Sequence, residues 1–318
     1  MISRRLAVAG LGALAVGCER RGAPPAPVTS GGPDAPPPSA PAASSAPGAP
    51  ARSLLVTREV AFTEAEGGPQ HCVLVVPPVA AGERLPLLIA LHGLGESRKG
   101  LEGGAWGWVR DYWLDKAMHR LAAPPLTTQD FQGFVRRPRL DEHNARLARA
   151  PFVGLAVACL YTPDLLHPRS LDNARAFGRF VVERALPRLR REPEVDASRA
   201  GIDGVSLGGR LSLLVGLAHP REFQAVGSLQ AALQLSEARE LSRRVGRARA
   251  ENPGLALRLV TSERDFYEAE IGALHDELRR AGVSHEHLVL PGPHDYPWNR
   301  GPGALEMLLF HDRALRAG

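Results

Sequence analysis

The chain has 318 residues, 44% of them hydrophobic and 23% charged, with a formal net charge of +5. That balance fits a folded globular body and excludes collagen-like and coiled-coil chains, and no apolar run reaches the roughly 20 residues of a membrane-spanning helix. The positive excess does not mark a nucleic-acid binder: only Lys99 and Lys116 are lysines, and the densest cluster, Arg188, Arg190 and Arg191, is interleaved with Glu183, Glu192 and Glu194.

At the start, Arg4 and Arg5 precede the apolar run Leu6–Val16, and small residues lead into Cys18. This is the pattern of a secretory leader over residues 1–17. The segment Leu14-Ala15-Val16-Gly17-Cys18 resembles a bacterial lipoprotein cleavage box, with Ala15 where that family usually has leucine. The resemblance implies that Cys18 is lipidated, becomes the first mature residue and holds the protein to a membrane of the cell envelope. An ordinary secretory signal would leave the protein soluble. Residues 19–52 contain 10 Pro, 9 Ala, 4 Gly and 4 Ser, with Val28 as the one large aliphatic side chain. Such a stretch cannot bury enough surface to offset its ordering entropy, so 18–52 is expected to be a disordered spacer. The remaining 266 residues, 53–318, suit a single α/β domain.

Leu54–Phe62 and Cys72–Val76 read as paired strands across a Gly67-Gly68 turn. Leu85–Leu91 is a continuous apolar run ending at His92-Gly93, as a buried strand entering a loop does. Gly95–Ala150 fits no strand–helix alternation and carries Trp106, Trp108, Tyr112 and Trp113, so it is expected to form a cap-like excursion. Phe152–Leu160 is the next strand, followed by a helix over Leu171–Arg191 that Pro187 should bend or shorten. Ala200–Val205 is a short strand and Leu207–Ala218 a helix that His219-Pro220 stops. Strands at Phe223–Ala232 and Leu255–Thr261 enclose an Arg-rich helix, and a helix at Tyr267–Ala281, a strand at Glu286–Leu290 and a helix at Gly303–Arg316 close the chain. The alternation predicts an α/β fold with a mainly parallel central sheet and helices on both faces. Cys72 and Cys159 lie in strand-like runs and are expected to be buried thiols. No metal-ligand cysteine spacing occurs, and His285 and His287, on one strand face, lack further ligands.

The strongest chemical signal is Gly204-Val205-Ser206-Leu207-Gly208-Gly209, directly after a strand and directly before a helix. That context makes it a nucleophile elbow, in which a tight turn lifts the serine above the sheet and Gly204 and Gly208 leave room for neighbouring backbone. The Leu207 N–H, at the positive end of the following helix, can stabilise an oxyanion. A base is expected after the last strand, where His294 stands in a Pro/Gly loop. An acid is expected after the preceding strand; Asp265 is the choice and Glu263 the reserve. Asp203 sits on the strand before the elbow and should make a local hydrogen bond. The second oxyanion donor should be the Leu94 or Gly95 N–H, with His92 bonding that loop in place. Trp106, Trp108, Tyr112 and Trp113 either line a substrate pocket or pack the excursion onto the body.

LHGLGES (91–97), GVSLGGRLSL (204–213), HPREFQAV (219–226) and PGPHDY (291–296) together resemble the α/β-hydrolase superfamily. The branch they resemble most is the esterase group related to esterase D, feruloyl esterases and enterochelin esterases. The resemblance implies the α/β-hydrolase fold and hydrolysis of carboxylic esters, small or glycan-linked, through an acyl-serine intermediate without a cofactor. It assigns Ser206 as nucleophile, His294 as base and Asp265 as acid. The chain departs from the pattern at Asp203, commonly a small residue, and in the Gly95–Ala150 excursion. A serine peptidase, an acyltransferase and a non-catalytic binder of an envelope glycan or partner remain as alternatives.

Overall fold

The structure is a computed structural model that describes residues 55–62 and 70–316. The leader, Cys18, the spacer and the Gly67-Gly68 turn lie outside the described residues.

Eight strands form one sheet in the order β1-β2-β4-β3-β5-β6-β7-β8. β1 (Val56–Phe62) and β2 (Gln70–Val76) pair antiparallel, and β2 is antiparallel to β4 (Ala156–Leu160). From β4 onward, through β3 (Leu85–Leu91), β5 (Val195–Gly204), β6 (Ala225–Leu229), β7 (Ala256–Arg264) and β8 (Glu286–Pro293), every pairing is parallel. β2, β3 and β4 read as near-unbroken apolar runs because both of their faces are covered. Alternate residues serve the two faces: Leu87, Ile89 and Leu91 enter one core, Leu88 and Ala90 the other.

The first core lies under α6 (Leu171–Phe180), α7 (Leu186–Leu189), α8 (Leu207–Ala218), α9 (Ala238–Glu251) and α10 (Glu268–Arg280). Pro187 acts as expected on the long helix. It cannot donate to the preceding turn, and the chain widens into a π-turn over Val181–Ala185 between α6 and α7.

The second core lies under α12 (Ala304–Arg316), which the single turn α11 (Tyr296–Trp298) precedes, and under the excursion, which folds into α1 (Leu94–Ser97), α2 (Gly100–Ala105), α3 (Gly107–Arg110), α4 (Leu114–Ala122) and α5 (Arg137–Arg149). Leu114, Ala117, Met118 and Leu121 of α4 and Leu140 and Leu147 of α5 are core residues. The excursion is therefore a structural layer on the sheet as much as a cap. It is also fastened by charge. Glu306 of α12, fully buried, accepts from Arg139 at 2.7 and 3.0 Å and pairs with the His143 ring at 2.9 Å, both from α5. Arg258 of β7 donates to the same carboxylate at 3.2 Å and lies over the Phe310 ring at 4.5 Å. Burial alone would raise the Glu306 pKa, but His143, Arg139 and Arg258 hold it well below the usual carboxylate range. Removing one member would strand a buried charge, so this network fastens α5 to α12 and β7.

Cys72 and Cys159 are free and buried, and they enter opposite cores, so the sheet itself separates them. Burial raises both thiol pKa values.

Candidate active site

From Ala200 to Leu217 every residue is buried except Ser206. It follows β5 and precedes α8, with φ 58° and ψ −114°, a conformation that strains any residue with a side chain. The turn is pinned on all sides: Val205 N–H donates to the Leu91 carbonyl at 3.1 Å, and Ser206 N–H to Leu229 at 2.9 Å. The Ser206 carbonyl accepts from Ala232 at 2.9 Å and Arg210 at 3.0 Å. A Cβ on Gly204 would lie 2.5 Å from the Gly208 backbone, and one on Gly208 only 2.2 Å from the Leu91 oxygen. The elbow thus exists because two glycines let β5, α8 and β3 meet backbone to backbone. Leu207 opens α8, where N–H groups lack intrahelical partners and the helix dipole is positive.

Because β3 to β8 run parallel, their C-terminal ends share one edge, and the polar residues after them gather there. Asp265 is one residue past β7 and His294 one past β8. The His294 Nδ1 meets Asp265 Oδ1 at 2.8 Å. Asp265 accepts further bonds from the Tyr267 N–H at 3.0 Å and the Thr261 hydroxyl at 2.7 Å. The carboxylate is wholly buried while the His294 side chain keeps 12% exposure, so the carboxylate is fixed and the imidazole reaches outward. Phe266 stacks on the imidazole with ring centroids 4.2 Å apart. No hydrogen bond joins Ser206 to His294 in this arrangement. Glu263, the reserve acid, turns away and pairs with Arg136 at the surface.

The loop after β3 carries His92 to Gly95. His92 is fully buried, and its Nε2 accepts from the Thr162 N–H at 2.9 Å, which leaves Nδ1 to donate to the Gly93 carbonyl at 2.9 Å. Burial lowers its pKa to about 4, so this imidazole is a neutral brace. A Cβ on Gly93 would lie 3.8 Å from the Ser206 Cβ, which brings this loop beside Ser206. Leu94 and Gly95 open α1, an end with no side-chain cap.

The four aromatics of the excursion divide. Trp108 does not line an open pocket: it is 1% exposed and packs edge-on to Tyr112, with centroids 5.0 Å apart. Trp106 is directed to the outermost strand instead, donating to Glu59 at 2.6 Å. Packing accounts for Trp108, and a hydrogen bond to β1 holds Trp106. Tyr112 is buried with its hydroxyl against Gly93, and Trp113 is half-buried beneath Lys116 and Arg300, at 3.6 and 4.6 Å.

Two site residues carry no sequence signal of their own. Gln230, after β6, has φ 46° and donates to the Ser262 hydroxyl at 2.7 Å and the Pro293 carbonyl at 3.0 Å, bracing the chain just before His294. Glu96, beside Gly95, is buried and bonded to two tyrosines. Only a polar residue at a parallel strand end, or directly after a His-Gly loop, hinted at either.

Residues 163–301 match the putative esterase family, a span that holds Ser206, Asp265 and His294 but not the 92–95 loop. Similar solved structures include a ferulic acid esterase at 16% identity, covering 82% of this chain and 99% of that one with a TM-score of 0.62. The S-formylglutathione hydrolase FrmB of Staphylococcus aureus aligns at 14% identity over 83% and 98% of the two chains, TM-score 0.56. The enterobactin esterase of Shigella flexneri aligns at 18% identity over 81% and 60%, TM-score 0.53. No curated protein matches the chain. The sheet order and these structural alignments give the chain the α/β-hydrolase fold, and its residues 163–301 are similar to putative esterases.

Proposed function

We propose that the protein hydrolyses carboxylic esters through an acyl-serine intermediate, with Ser206 as nucleophile, His294 as base and Asp265 as the acid that orients it. The observation that carries this reading is the 2.8 Å His294–Asp265 pair at the sheet edge onto which the strained Ser206 turn opens. Asp265 bonds to Nδ1, which sets the tautomer and leaves Nε2 to receive the serine proton. His294 takes that proton as the Ser206 oxygen attacks the ester carbonyl, closing its bond to the serine as substrate enters. The Leu207 N–H, with the Leu94 or Gly95 N–H, bonds the oxygen that becomes negative. His294 then passes the proton to the departing alcohol, and water repeats the sequence to release the acid. The named neighbours carry different substrates in their names, so the shared fold does not select one, and the proposed substrate is a small-molecule or glycan-linked ester.

The test is a fluorophosphonate serine probe on the full-length protein beside its Ser206→Ala variant, followed by turnover of p-nitrophenyl acetate. Labelling and turnover should vanish in Ser206→Ala, and turnover in His294→Ala, with circular dichroism unchanged. Wild-type turnover that survives in both variants would sink the mechanism. The proposed lipid anchor rests on residues 14–18 and the Pro/Ala-rich spacer. It is tested by fractionation: Cys18→Ala should move the protein from membranes to the soluble fraction, and an unchanged distribution would reject it.

A further inference from the structure

The loop offering the oxyanion donors contains Gly93 and Gly95, and a glycine-rich loop does not hold one shape unaided. His92 braces one side of it, through Thr162. The other side is held by Glu96. Its Oε2 accepts the Tyr112 hydroxyl and its Oε1 the Tyr296 hydroxyl at 2.6 Å, with Lys99 Nζ 3.7 Å from Oε1. The Tyr112 hydroxyl in turn accepts the Gly93 N–H at 3.3 Å. Tyr296 stands two residues beyond His294, and its hydroxyl would lie 2.7 Å from a Cβ on Gly95. A single carboxylate therefore gathers three separate pieces: the loop after β3, the excursion, and the loop that carries the base.

The energetics argue that this arrangement is not there for packing. Glu96 is 1% exposed, and a carboxylate so buried costs several kcal/mol unless donors compensate it, whereas an apolar trio would fill the same space more cheaply. Burial, and then the Glu96 charge, pushes both phenols above their ordinary pKa of 10, so both hydroxyls remain donors.

We propose that Glu96 is a positioning residue that ties the Leu94 and Gly95 donors to the His294 loop, so that the oxyanion site and the base keep one spacing through the reaction. This rests on the Ser206, His294 and Asp265 reading given above. Glu96 acts through its tyrosines and touches no reacting atom, so its loss should appear in kcat and not in KM.

Glu96→Gln keeps one acceptor and turns the other position into a donor, so one phenol must reverse its bond and loses the acceptor for its own proton. In full-length protein with p-nitrophenyl acetate, kcat should fall on the order of ten- to hundredfold, the scale of a small misplacement of catalytic groups. KM should be little changed. Affinity for phenylboronic acid, whose tetrahedral serine adduct fills the oxyanion site, should fall with kcat. Tyr296→Phe, at a partly exposed ring, should lower kcat by a smaller factor, and the double variant should fall short of the product of the two effects, because both act on one carboxylate. A Glu96→Gln protein with wild-type kcat and boronate affinity would overturn the proposal. So would a loss seen only as a lower unfolding midpoint, with full activity per folded molecule. Should Glu96→Gln not fold, Tyr296→Phe decides: unchanged kcat and boronate affinity there overturn it. If the wild type turns over ester and Ser206→Ala does not, an unaffected Glu96→Gln refutes this inference alone; a folded wild type that takes no fluorophosphonate removes the reading beneath it.

Discussion

Two histidine–aspartate pairs lie within the fold, apart from the exposed His167–Asp164 contact, and they differ in what the rest of the ring faces. His294 and Asp265 meet at the C-terminal edge of the sheet, with Nδ1 on the carboxylate and part of the ring open to solvent. His311 of α12 and Asp203 of β5 meet beneath the elbow at 3.1 Å, through Nε2, with neither side chain exposed. The second pair is sunk into backbone: a Cβ on Gly227 would lie 1.8 Å from Asp203, and one on Gly201 2.3 Å from the His311 Nδ1. Asp203 also accepts its own neighbour's N–H, that of Gly204, at 2.7 Å. Chemically the pairs are nearly alike; what separates them is which nitrogen is left over and what it faces. His294 spends Nδ1 on the carboxylate and keeps part of its ring exposed, whereas the spare nitrogen of His311 is buried without a partner. A His–Asp contact is thus a catalytic orienter only where the other end of the ring can move a proton.

The largest effect that tests this contrast is at Asp265. Asp265→Asn should lower kcat by roughly ten thousandfold through the wrong imidazole tautomer, with the fold intact. A drop below tenfold in p-nitrophenyl acetate turnover would place the orienting carboxylate elsewhere. At the buried pair the expectation reverses. His311→Ala strands Asp203 and should cost about 3–5 kcal/mol in urea unfolding, while kcat per folded molecule stays at the wild-type value. Loss of turnover in a well-folded His311→Ala would erase the distinction.

The smallest effect is in pH. Burial lowers the pKa of His311, against the pull of Asp203, and lowers that of His92 to about 4 from an ordinary 6.5. The unfolded chain therefore binds protons that the folded one refuses. The stability these rings contribute is complete above pH 6.5 and drains away as pH falls toward 4. Between roughly pH 7 and pH 5, His92 alone should remove about 2 kcal/mol, read as a falling urea midpoint. Glu306, held low by its cationic partners, acts in a separate window, contributing above its ordinary 4.5 and losing stability only below it. A flat midpoint across the upper window would contradict both buried-histidine assignments.

Much of this was legible from local pattern. The apolar run Leu85–Leu91 and the helix Leu207–Ala218 appear with the bounds their sequences predict, because a strand covered on both faces and a helix stopped by His219-Pro220 declare themselves. The strand at Phe152–Leu160 starts late, at Ala156, because Gly154 takes φ 100° and Val153 stands exposed. Glu286–Leu290 runs on to Pro293, which carries His294 to the edge. The excursion hid its layer role in plain spacing: Leu114, Ala117, Met118 and Leu121 recur as a helix face does. Illegible were contacts with no local trace. Glu306 with Arg139, and Glu96 with Tyr296, join residues far apart in sequence, and a buried charge looks like a surface charge until its partner is known.

One feature of the elbow bears on heredity. The atom that would collide with a side chain at Gly208 is the carbonyl of Leu91, and the one beside Gly204 belongs to the backbone of Gly208. Where the obstacle is another side chain, a second mutation elsewhere can make room. Where it is main chain, no substitution anywhere in the gene removes it, and only a displacement of the strand would. Drift can therefore rewrite the excursion, the helices and the pocket rim piece by piece, trying new substrates along the way. The junction of β3, β5 and α8 offers no such intermediate steps, and a descendant either inherits it whole or loses the nucleophile turn.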